Sequence, residues 1–453
     1  MTSSGPGLTS RLLWCAAALF VLLWWLAAPL ESVHIGAAPE SGDDPVGFQS
    51  QPPPGFEALF NGKDLRGWKG LVGDPLKRAA MSREELAVEQ RNSDAEIARH
   101  WRAEDGEIIN DGQGPHLCTI EDYGDFELLL DWKISAGADS GIYLRGSPQV
   151  QIWDTVGGID QAKVGSGALY NNQKNPSKPP VVADKPAGEW NHFRIGMVGE
   201  RVTVFLNDVC TVDDVVMENY WQRDRPIDRR GQIELQTHGG EIRFRNLFLR
   251  RITAEESNEL LRARDEEGFV PLFDGKTMEG WQGATDGYEA GDGVLRCKRG
   301  HGGNLLTRRE FGDFVLRFEF RLEPGSNNGL AIRAPADGNP AYDGMELQIL
   351  EDSHDKYRDL KPWQFHGSVY GIQPAHRGYQ HPVGEWNFEE VVCKGSRVQV
   401  ILNGTTITDV DLSAVASPID GEEHPGMRRT HGHIGFMGHH DPVELRRIMI
   451  REL

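Results

Sequence analysis

At 453 residues, with 39% hydrophobic and 26% charged side chains, the chain has the makeup of ordinary globular protein, and 53 Gly, 25 Pro and 12 Trp tilt it toward strands and turns. A net charge of -20 argues against nucleic acid as a partner, because phosphate binding needs a basic patch that the sequence lacks. An acidic surface is compatible with a neutral ligand such as a sugar without pointing to one.

The first element is an apolar run at 12–30, LLWCAAALFVLLWWLAAPL, preceded by Arg11 and followed by Glu31. Its length lies between a long signal peptide and a membrane span, which needs about 20 apolar residues. Arg11 favours an inside start and an outside remainder. Either reading exports the rest of the chain to the periplasm or cell surface, and this segment is its only expected contact with the membrane. Residues 31–54 are rich in Pro, Gly and acids and read as an extended linker.

From residue 55 the chain says the same thing twice. GFEALFNGKDLRGW at 55–68 returns as GFVPLFDGKTMEGW at 268–281, and GDFELLLDWKISAGADSGIYLRG at 124–146 returns as GDFVLRFEFRLEPGSNNGLAIRA at 312–334. GEWN with its following strand recurs at 188–208 and 384–404. A period near 200 residues is far too long for a solenoid and describes tandem domains, here 55–252 and 268–453, joined by a helical linker at 253–267. Only the first copy carries the helix-forming stretch at 76–100, in which Ser82 and Glu85 have capping-box spacing. Elsewhere apolar and polar residues largely alternate, as in FELLLDWKI and FVLRFEFRL, and VTVFLND and VQVILNG end in two-residue hairpin turns. Short strands with Gly-rich turns predict an all-β chain of two jelly-roll sandwiches. Cys118, Cys210, Cys297 and Cys393 fall at non-equivalent places in the two copies, so disulfides and reduced thiols both remain open, and the absence of C-x-x-C and H-E-x-x-H spacings argues against a cysteine-rich or helix-borne zinc site.

The ordered motifs GF-LF-GK-L-GW, SGIYLR, Q-I-D, G-LY, GEWN and LN, with a closing I-L-Q-H-G and FRN, resemble the 3-keto-disaccharide hydrolase domain family over both copies. The resemblance implies a concanavalin-like jelly roll and cleavage of glycosides oxidised at carbon 3, by hydrolysis or by C1–C2 elimination. It makes 3-keto-sugar glycosides the expected partner. A ketone at carbon 3 acidifies the carbon 2 proton, so the site needs a base, an enolate stabiliser and an acid for the leaving oxygen. In the second copy Glu346 or His439 is the candidate base, Arg333 with Gln348 the enolate stabiliser, and Tyr370 or His366 the acid, with Asn328 beside them. Arg145, Gln149, Gln151, Asp154, Tyr170, Gln236 and His238 are the substrate-binding candidates of the first copy. Trp153, Trp190, Trp363 and Trp386 offer stacking faces.

Alternatives stand beside each reading. Arg145 and Arg333 are equally candidates for structural ion pairs with Asp154 and Glu351. His238, His433 and His439 could hold a divalent metal with nearby carboxylates, and a structural calcium at a loop is a further option that runs such as Asp409 to Asp411 are too common to locate, with no cofactor required by the motifs. The competing functions are an exported lectin-like protein whose twin domains add avidity and a structural envelope protein. Gln149 stands where the second copy has Glu346, and Gln236 where it has Met437, which predicts unequal duties for the two domains.

Overall fold

The structure, a computed structural model, describes residue 49, residues 51–158 and residues 160–453; the apolar run at 12–30, Cys15 and most of the 31–54 linker lie outside the described residues. Each half is a sandwich of an eight-stranded and a five-stranded antiparallel sheet, and the strand order is the same in both. In the first half the larger sheet is centred on Phe126–Ile134, flanked by Ile242–Arg251 and Asn191–Val198; Phe314–Leu322, Val443–Glu452 and Asn387–Lys394 repeat the arrangement in the second. Both central strands have the bounds their alternation predicts. Their inner side chains, such as Leu128, Leu130, Phe318 and Phe320, fill the two main apolar cores.

Several outward residues of these strands, Asp131 and Glu319 among them, are buried as well, because charge networks cover them. Asp131 meets Arg245 and His192, and Glu319 meets Arg262, Arg446 and Arg447. Trp190 and Trp386 belong to this outer surface, each under an arginine guanidinium about 4.1 Å away (Arg245 and Arg446), so neither is free to stack on a sugar. Both hairpins turn where expected, with positive φ at Asn207 and Asp208 and at Asn403 and Gly404. The Asn of each GEWN motif pins its hairpin, since Nδ2 of Asn207 and of Asn403 donates to Oδ1 of Asn191 and Asn387 at 2.8 and 2.9 Å.

The 76–100 stretch forms two helices, Pro75–Ala80 and Arg83–His100, because Ser82 and Glu85 close the predicted capping box and start the second one. The longer helix covers the sheet edge at Trp68–Gly70, where a Cβ on Gly70 would stand 2.2 Å from Oγ of Ser93. The linker helix Ala254–Ala263 packs Leu261 against Val198, Ile252 and Phe388, so both halves share a small apolar cluster. The four described cysteines are free thiols. Among the described residues no helix is long and apolar enough to cross a membrane.

Candidate active site

The smaller sheet of the second half builds the site. Its edge strand Met345–Leu350 pairs with Asn327–Ala334, placing Gly329 opposite Gln348 and Ala331 opposite Glu346. Both polar side chains face away from the core, and the small residues beside them leave a hollow of about 260 Å³. Glu346, Gln348, Tyr370 and His439 line it together, so four residues expected from the sequence converge. Asn327, Tyr342, Gln364 and Met437 are among the other residues of the wall. A volume just below the usual 300–1,000 Å³ of ligand clefts suits one sugar ring with its aglycone outside.

Glu346 is the distinctive group. It is 4% exposed, and none of the described residues hydrogen-bonds or ion-pairs with its carboxylate. Burial alone pushes its pKa up to about 7. Gly329 makes room for it, since a Cβ there would lie 2.2 Å from Oε1. Gln348 is held by donating from Nε2 to Oδ1 of Asn327 at 2.6 Å, and the Tyr370 hydroxyl accepts from Nε2 of Gln364 at 3.1 Å. His439 stands exposed on the rim, where partial loss of water holds its imidazole below the usual range against the opposing pull of Asp441.

Three expected members of this site do not reach it. Arg333 is fully buried, with Nη2 2.8 Å from Oδ1 of Asp313 and Nη1 donating to the carbonyls of Gly395 and Arg429 at 2.7 and 3.0 Å. Strict alternation would put it on the face of Asn327, but the backbone turns through φ 49° at Arg333 and the pairing slips between Ala331 and Ala334, which redirects the side chain. Asn328, one residue out of phase, points into the core beside Tyr288. His366 also lies in the core, its ring 5.0 Å from Phe320 and its Nε2 3.0 Å from Oε2 of the buried Glu389. Asn327 and Tyr342 are the residues that sequence reasoning missed. The signal for Asn327 was the small pair Gly329 and Ala331, which marks the open face of that strand.

The first half closes the same place. Tyr143 stands where the second half has Ala331, 7% exposed, and its hydroxyl accepts from Nε2 of Gln236 at 3.3 Å. Gln149 donates to Gln151, which donates to Oδ1 of Asp139 at 2.7 Å, and His238 lies 3.2 Å from Oδ2 of Asp139. Tyr170 is exposed, edge-on to Trp153 with ring centres 5.0 Å apart. Arg145 and Asp154 do not join this network. Arg145 is buried against Asp125 at 2.7 Å, and Asp154 staples its loop by accepting from the amides of Gly137, Val156 and Gly157. Glu351 does the same for Gly325 and Ser353, so Arg145 and Arg333 find their partners in Asp125 and Asp313 rather than in Asp154 and Glu351.

Larger hollows, of about 460 and 520 Å³, run along the seam between the halves and share Arg229 and His381. The half-buried Asp352 there is paired with Arg377 at 3.6 Å, and the buried His381 imidazole is held down to about 4 by loss of water. Among the described residues no three His, Cys, Asp or Glu side chains converge on a metal position. His433 lies beside Glu310 at 3.6 Å and six residues from His439 on one strand, about 20 Å away at strand rise. Asp409 and Asp411 are already satisfied by Arg397 and by Ser396 and Ser413.

The jelly-roll frame is repeated in both halves, and the pocket on the smaller sheet is open in the second, where family membership makes the protein carbohydrate-active. The chain belongs to the family described as the 3-keto-alpha-glucoside-1,2-lyase-like domain, whose profile matches residues 55–250 and again 268–451. A 3-keto-disaccharide hydrolase from Bacteroides thetaiotaomicron is 25% identical over 250 residues, covering 46% of this chain and 86% of that protein. Two candidate glycosyl hydrolases solved from Parabacteroides distasonis are also similar. The first is 29% identical over 41% of this chain and 99% of its own, with a TM-score of 0.38; the second is 24% identical over 42% and 95%, with a TM-score of 0.34.

Proposed function

We propose that the second half, 268–453, cleaves 3-keto-glycosides by removing the proton on carbon 2, with Glu346 as the base. One observation carries this reading: Glu346 is a buried carboxylate with no partner among the described residues, its pKa pushed up to about 7 by burial, at the wall of a ring-sized pocket. A general base works best when its pKa lies near the working pH. Once the C2 proton has moved to Glu346, the C1–O bond breaks as C1=C2 forms, and the leaving oxygen takes up the proton. Water added to the resulting enone at carbon 1 gives net hydrolysis. Gln348 holds the ring, and Tyr370 with His439 stands at the side from which the aglycone leaves.

The first half, 55–252, is the glycan-holding partner in this reading. Its carboxylate position is the amide Gln149, its hollow is filled by Tyr143, and the half-buried Asp139 with the exposed His238 is the polar pair that would meet hydroxyls. We further propose export, with 12–30 as leader or tether. The test is turnover of a 3-keto-α-glucoside by the two-half fragment and by its Glu346→Gln variant, following released sugar and enone absorbance. A loss of about 10²-fold or more is expected. Undiminished turnover would falsify the assignment, and tight binding without turnover by the unmodified fragment would favour the lectin reading.

A further inference from the structure

With Arg333 turned into the core, Gln348 is the expected donor left for the oxygen on carbon 3, and the second half has an insertion that brings a further hydroxyl. In the first half Asp139–Leu144 and Ser147–Trp153 join through the two residues Arg145 and Gly146; in the second the corresponding strands are separated by a loop bearing the short helix Pro340–Asp343. Tyr342 on that helix forms part of the pocket wall with Glu346. Behind it the ring of His424 stacks with centres 4.6 Å apart and planes at 39°. His424 is buried, and its Nε2 lies 3.0 Å from Oδ2 of Asp420. Gly371 admits this pair, since a Cβ there would stand 2.2 Å from Oδ2 of Asp420 and 2.6 Å from Nε2 of His424. Tyr342 and its backing therefore arrive together in the half that carries Glu346. The first half, with Gln149, has no histidine between residues 217 and 231 to play the part of His424.

We infer that Tyr342 is a catalytic residue of the reaction proposed above, its hydroxyl hydrogen-bonding the C3 oxygen as the enolate forms, and that His424 and Asp420 position its ring. The inference rests on Glu346 being the base. As the C2–H bond breaks, its electron pair forms C2=C3 and the C3=O pair moves onto oxygen, while the proton goes to Glu346. Tyr342 keeps its own proton and stabilises that oxygen by donating to it. When C3=O re-forms, C1=C2 forms, the C1–O bond breaks, and the leaving oxygen takes the proton from Glu346. Burial, with Tyr370 and Asp420 nearby, holds the Tyr342 phenol above the ordinary tyrosine range, so it remains a donor at neutral pH.

The experiment compares Y342F, H424Q, the Y342F/H424Q double variant and E346Q in the full chain, by steady-state cleavage of a 3-keto-α-glucoside. Removing one hydroxyl leaves the aromatic ring to stack on His424, so Y342F keeps the fold. Its kcat is expected to fall about 10²-fold with KM little changed, as for loss of one oxyanion donor. H424Q should lower kcat by a smaller factor, and the double variant should be no slower than Y342F, because a positioning residue has nothing left to position. A Y342F rate within about twofold of the unmodified protein, alongside an inactive E346Q, overturns the role of Tyr342 and leaves the base standing. An active E346Q overturns both. Multiplicative losses in the double variant overturn the positioning role of His424.

Discussion

The pH dependence of the reaction and of stability should share one origin, the buried carboxyl of Glu346. The rise from the ordinary 4.5 to about 7 amounts to about 3 kcal/mol of differential interaction against the ionised form, at about 1.36 kcal/mol per pKa unit. The folded-state value lies above the unfolded one, so this group costs no stability below pH 4.5. Its cost grows as pH rises and is complete above about 7. Catalysis needs the opposite form, and kcat/KM should fall about tenfold per pH unit below about 7. Two measurements check both arms: initial rates of 3-keto-glycoside cleavage between about pH 5 and 9, and urea unfolding of the unmodified chain against E346Q at about pH 4 and pH 8. E346Q should gain most of the about 3 kcal/mol at the higher pH relative to the lower. A rate profile that is flat down to about pH 5, or an E346Q stability difference independent of pH, would refute the reasoning.

Arg333→Met should destabilise the second half by about 3 kcal/mol, because a buried guanidinium that binds Asp313 and the carbonyls of Gly312, Gly395 and Arg429 is lost, yet the folded variant should keep its KM. Thermal melting and steady-state kinetics check the two parts, and a selective rise in KM at unchanged stability would return Arg333 to the site. Tyr143→Ala in the first half should cost about 3 kcal/mol as a cavity opens opposite Gln236. Turnover should not change, which cleavage assays at saturating substrate would show; a slowed reaction would mean that the first half contributes to the chemistry.

Much of the site was legible as residue type and strand phase. Glu346 and Gln348 two apart on an alternating strand had to share a face, and Tyr370 and His439 lay on neighbouring segments that the doubled frame brings alongside. The failures were local. Asn328 is one residue out of phase: the two asparagines are alike in sequence, and only the small Gly329 and Ala331 mark the open face as that of Asn327. Arg333 followed the alternation until a positive φ and a slipped register broke it, and that break depends on Asp313 and on the carbonyls of distant loops. His366 looks like a site residue in sequence and is a core residue in space because its partner, Glu389, comes from the opposite sheet.

By itself the sequence determined the doubling, the jelly-roll frame, the hairpin turns, the capping box of the inserted helix and the inequality of the two copies, since each of these is written in short-range periodicity and in turn chemistry. Tertiary structure alone decided that Tyr143 fills in one half the place that Ala331 leaves open in the other, that Tyr342 and His424 meet across about 80 residues, and that Glu346 is largely buried with no partner among the described residues. The reason is physical: a carboxyl's pKa and a pocket's volume depend on what packs around them, and those neighbours come from strands and loops far apart in the chain.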